Sequence, residues 1–135
     1  MKIERFEEIE AWQLARELTR MVYALPQKTG FAKDGGLKSQ IRDAAGSAMH
    51  NIAEGFDSET NVEFIRFLRY AKRSCSEVQS ELYVAADEKY ITPAEFNSTY
   101  EPARKTRAAV RGFINYLRKY EARKTSRPEP VLSNR

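Results

Sequence analysis

One cysteine and one histidine in 135 residues leave little material for thiol or metal chemistry. Cys75 has no partner for an internal disulfide, and with His50 alone it cannot build a multi-thiolate zinc site. No metal or other cofactor is therefore expected. Six glycines and five prolines are too few for a low-complexity chain. No apolar run approaches the ~20 residues that span a bilayer, so no membrane partner is expected. The opening run MKIERFEEIEAW is charged where a secretory signal would be apolar, which makes the cytoplasm the expected location. What remains is 41% hydrophobic and 31% charged residues, a composition that fits one helix-rich domain.

Apolar residues recur at helical spacing over most of the chain. Ile9, Leu14, Leu18, Met21, Val22 and Leu25 predict a first helix over 5–25, stopped by Pro26. The segment QKTGFAKDGG supplies turn residues. Leu37, Ile41, Ala44, Ala45, Ala48, Ile52 and Ala53 predict a second helix over 36–55. Thr60 followed by Glu63 forms a capping-box pattern ahead of a third helix over 61–89. Thr92, Pro93 and Glu95 give a strong start to a fourth over 93–122. Four long amphipathic helices on short linkers predict an all-α, antiparallel, up-and-down four-helix bundle over residues 1–122. The remainder, 123–135, reads as a flexible basic tail.

Two stretches carry a family resemblance. LKSQIRDAAGSAMHNIAEGF and EFIRFLRYAKRSCSEVQSEL, with AWQLARELTRMVY upstream, resemble the four-helix-bundle proteins associated with intervening sequences in bacterial 23S ribosomal RNA genes. The most specific part starts at Ser39, Gln40, Ile41 and Arg42 and ends at Asn51, Ile52, Ala53, Glu54, Gly55 and Phe56. The resemblance implies a small bundle that assembles into a homopentamer. A related protein is the accessory subunit of diversity-generating retroelements, which implies RNA or DNA, and a reverse transcriptase or other nucleic-acid enzyme, as partners. The sequence departs from the family's usual residues at Asp43, His50 and Arg73.

The stretch NIAEGF places a carboxylate and an amide among small apolar residues. Asn51 and Glu54 lie three apart on one helical face, within reach of backbone groups or of Arg42 or Arg66. Acid–base catalysis needs a matched partner within hydrogen-bond reach, and the sequence supplies only His50, next to Asn51 and so about 100° from it around the helix. Glu54 is therefore expected to be a structural acid and Gly55 a left-handed helix end. Cys75 lies on an apolar stripe and is expected to pack in the core. No catalytic residue is identified, and the chain reads as a non-enzyme.

Charge carries the functional signal. Residues 1–117 hold 17 basic and 17 acidic residues, so the net +4 comes entirely from the C-terminal end. Arg104, Lys105, Arg107, Arg111, Arg118, Lys119, Arg123, Lys124 and Arg127 face only one acid between them, Glu121. Arg104, Arg107, Arg111 and Arg118 fall within an arc of about 60° on a helix. A basic stripe of this kind suits phosphates without reading bases, and repetition in an oligomer would multiply it. The alternative is a structural or protein-interaction module whose charges keep it soluble.

Overall fold

The computed structural model describes residues 2–27 and 29–126. Among these the chain is all-α, with helices α1 (Glu10–Ala24), α2 (Thr29–Lys33), α3 (Gly35–Asp57), α4 (Asn61–Asp87) and α5 (Pro93–Ser126) and no strand. The four long helices close a ring in which α1 and α4 each pack against both α3 and α5.

Helix starts follow local chemistry. Asp34 accepts the Leu37 amide at 3.1 Å, and Thr60 accepts that of Glu63 at 3.2 Å. At α5 the capping box is complete: the Glu95 amide donates to Thr92 Oγ1 (3.1 Å) and the Thr92 amide to Glu95 Oε1 (2.8 Å). At α4 only half of it forms, because the Glu63 carboxylate turns to Arg66.

Three boundaries differ from the sequence expectation. Ile9 is extended (φ −76°, ψ 121°), so the first predicted helix is divided into a 3-10 turn at Phe6–Glu8 and α1. The QKTGFAKDGG linker contains α2, held by the fully buried Phe31, whose ring stacks on Tyr90 with centroids 5.5 Å apart. Tyr90 Oη also donates to Asp34 at 3.0 Å, tying this end of the molecule together. Finally, α5 continues to Ser126, so the expected tail begins as helix, while 127–135, including Arg127, lie outside the described residues.

Neighbours run antiparallel. Thr19 donates to the Ala45 carbonyl and Arg42 to that of Tyr23, pairing α1 with α3. Ser74 donates to Ser47 at 3.0 Å between α4 and α3. Tyr83 meets Tyr100, Arg107 meets Ser76, and Phe64 meets Phe113 between α4 and α5. The core has two parts. One gathers Ile52, Phe64, Leu68, Val110 and Ile114; the other gathers Leu18, Phe31, Ile41, Val78 and Leu82. Small residues, Ala45, Ala48, Ala71, Ser74 and Cys75, lie where the two meet, and there the helices approach closely.

Candidate nucleic-acid interface

The α4–α5 register decides which cations share a surface. With Arg107 beside Ser76 and the helices antiparallel, Arg111 comes level with Lys72 and Arg73, and Arg118 level with Ile65 and Arg66. On α4, Arg66, Arg69 and Arg73 recur at steps of three and four, and all are exposed. Arg69 and Arg73 were not among the basic residues expected from sequence to meet phosphates. The periodicity argument that found the arginines of the fourth predicted helix, applied to the third, would have found them.

The eight candidate basic residues, all of which fall on α5 although Arg123 and Lys124 were expected in the tail, are not equivalent. Arg104 is bound twice through Nε to Glu101, at 3.0 and 3.1 Å, and its guanidinium holds that carboxyl below the usual range. Arg107 is half-buried and donates Nε to Ser76 Oγ at 2.9 Å, bracing α5 against α4. Arg123 is exposed but already engaged. Lys105, Arg111, Arg118, Lys119 and Lys124 are exposed. Of these, Arg111 and Arg118 stand on the flank nearest α4.

The residues on α3 that carry the family resemblance do not converge. Asn51 donates to the Ser47 carbonyl and to Ser47 Oγ, both at 2.9 Å. The Arg42 guanidinium lies 4.5 Å from the Tyr23 ring centroid. Gln40 lines an open groove with Asp43, Ala44, Ser47 and Glu77. Glu54 is exposed, with no hydrogen bond or ion pair to a described residue, so the expected structural carboxylate is not one. Its supposed partners are taken: Arg66 by Glu63 and Arg42 by Tyr23. Gly55 is not a left-handed terminus either, since no described glycine has a positive φ and α3 runs on to Asp57. It is needed for space. A Cβ there would stand 2.7 Å from Phe64 Cδ1 and 2.9 Å from Phe67 Cβ.

No acid–base constellation appears among the described residues. His50 is exposed, Cys75 is buried with its thiol pushed up to about 12 by desolvation, and no group of metal-ligating side chains gathers. No described helix is long and apolar enough to cross a membrane.

The protein-family description "23S rRNA-intervening sequence protein" matches residues 7–112, which takes in α1 to α4 and the first half of α5. The chain belongs to that family. A solved structure with the same fold is a protein of unknown function from the S23 ribosomal protein family of Bacteroides thetaiotaomicron. It superposes with a TM-score of 0.70 at 20% identity, covering 77% of this chain and 97% of that one. No curated protein matches.

In this family member the groove beside Gln40 is acidic. Burial pushes the Glu81 carboxyl up to about 7, with Glu77 and Asp43 adding to the rise, and Glu81 Oε1 is buried without a hydrogen-bond partner. A folded-state pKa above the unfolded value means that stability is full below about pH 4.5 and declines as pH rises through 7. The group is half-buried, so solvent screening reduces the effect to about 1 kcal/mol. Glu81→Gln is expected to raise the melting temperature at pH 8 and leave it unchanged near pH 4.5. Equal shifts at both pH values would show that ionisation of this carboxyl is not responsible.

Proposed function

We propose that this protein is a non-enzymatic, self-associating four-helix bundle that binds nucleic-acid phosphates without sequence specificity through the joint face of α4 and α5. The observation that carries this reading is that the neighbouring antiparallel helices α4 and α5 carry four exposed guanidiniums, Arg69 and Arg73 on one and Arg111 and Arg118 on the other. Each phosphate they neutralise releases condensed counterions, so affinity accumulates with contacts. A surface of this kind positions a backbone and reads no base edges. The reading places the protein in the cytoplasm, acting on RNA or DNA alone or beside a nucleic-acid enzyme such as a reverse transcriptase.

Assembly as a homopentamer belongs to the same reading, since five copies would repeat the basic face around an axis. The aromatics Phe6, Trp12, Phe64 and Phe67 do not support it: Phe64 is buried, and the other three are partly buried within one chain. Support comes instead from Val62, 70% exposed, and from Tyr116 and Tyr120, each 48% exposed on α5.

Filter binding of the native protein to mixed-sequence RNA and DNA tests the proposal. The logarithm of the association constant should fall linearly with that of salt, with a slope of about 0.9 per phosphate contact on duplex DNA and little dependence on sequence. Light scattering on the same sample reports the assembly. No binding at about 50 mM salt would favour the interaction-module reading, for which the acidic groove of Asp43 and Glu77 is the natural surface.

A further inference from the structure

Tyr70 stands between two guanidiniums. The Arg66 and Arg73 charge centres each lie 5.6 Å from its ring centroid, and Arg66 is also 5.2 Å from that of Phe67. The Phe67 and Tyr70 rings meet edge to face at 6.0 Å. Arg66 is fixed in this position by three bonds: Nε and an Nη to the Glu63 carboxylate, at 3.0 and 2.8 Å, and the other Nη to Tyr70 Oη at 2.9 Å. All three use N–H groups, which lie in the guanidinium plane, so the faces of that plane are left for stacking. The side chain nevertheless remains 50% exposed.

A guanidinium held by a bidentate carboxylate is a weak phosphate ligand, because its charge is compensated and most of its donors are used. It is a good planar surface. Arg69, Arg73, Arg111 and Arg118 are left to neutralise phosphates, while Arg66 offers a preformed plane backed by aromatic rings.

We infer that the Arg66–Tyr70 pair on α4 seats an unpaired base, so that the basic face takes single-stranded nucleic acid in preference to duplex. The inference rests on the phosphate-binding reading above and adds the class of strand to it. Bases in a duplex have their faces covered by their neighbours, whereas an unpaired base can lie on an aromatic ring or a guanidinium. One stacked base strengthens binding roughly tenfold. Every base has a π-face, so RNA and DNA strands should be taken alike.

The test compares affinity for a mixed-sequence single strand with that for the same sequence as duplex, at one salt concentration. It uses the native protein, Arg66→Lys and Tyr70→Leu. Lysine keeps the charge and can still reach Glu63 but has no plane; leucine keeps apolar packing but has no ring. The native protein should prefer the single strand roughly tenfold, and each variant should lose that preference with the salt slope unchanged. Should Tyr70→Leu fail to fold, Arg66→Lys decides the matter alone. A native protein that binds both forms equally, or an Arg66→Lys protein that keeps the full preference, overturns the inference while leaving phosphate binding intact. Binding to neither form overturns the phosphate-binding reading itself, and this inference with it.

Discussion

A protein carrying Arg69→Gln, Arg73→Gln, Arg111→Gln and Arg118→Gln is expected to bind nucleic acid roughly a thousandfold more weakly at about 0.1 M salt than the native chain. Four lost phosphate contacts should also lower the log–log salt slope on duplex DNA by roughly three to four units, and by the same amount for every sequence tested. The fold should persist. All four side chains are exposed, surface substitutions usually change stability by about 0.5 kcal/mol or less, and only Arg73 gives up a ring contact, with Tyr70. Arg104 and Arg107 make the informative control. Glu101 compensates one and Ser76 engages the other, so replacing that pair should weaken binding much less. Unchanged affinity and slope in a correctly folded fourfold variant would move the contact to Lys119 and Lys124, at the far end of α5.

Gly55→Val should be the most damaging single substitution at the α3–α4 contact. Even the first carbon of a side chain would come within 2.9 Å of both Phe64 and Phe67, closer than carbon atoms approach in folded proteins. Phe64 cannot swing aside, because its ring is edge to face with Phe56 on one side and with Phe113, at 5.3 Å, on the other. The helices must separate. Overpacking of this kind costs about 1–3 kcal/mol, and valine sits at or above the upper end. A fall of about 10 °C in melting temperature follows for a chain of this length. Gly55→Ala should cost less, since alanine regains about 1 kcal/mol of helix propensity. The neighbouring Glu54→Ala should leave the melting temperature almost unchanged. If Gly55→Ala proved more stable than the native protein, the close packing here would be easily relaxed and the steric account wrong.

Those adjacent positions show what the sequence could and could not convey. Helix starts at Thr60 and Thr92 were legible because a cap is chemistry among residues three apart. The short helix α2 was not, because it depends on Phe31 meeting Tyr90, a residue 59 positions later. Glu54 was misread because apolar neighbours in sequence were taken for apolar neighbours in space. Its exposure is set by where α1 and α4 stand around α3. Gly55 read as a helix end because glycine commonly marks one, yet its role is fixed by two phenylalanines on another helix. The basic face was half legible: the arginines of α5 follow from their spacing, but their alliance with Arg69 and Arg73, and the occupation of Arg104 and Arg107, required the register between helices.

Cys75 has a practical consequence. It is the only cysteine of the chain, lies fully buried where the two parts of the core meet, and has its thiol held near 12 by desolvation. In that state it is shielded from an alkylating reagent and almost devoid of thiolate, the form that reacts. Once the helices part, it regains an ordinary thiol pKa of about 8.5 and becomes reactive at mildly alkaline pH. The rate at which one iodoacetamide adduct accumulates is therefore a clock for the opening of the molecule, read by mass and set by the population of the open form when reclosing is fast. Because nucleic acid is proposed to bind at the outer faces of α4 and α5, bound strand should slow that clock without touching the thiol.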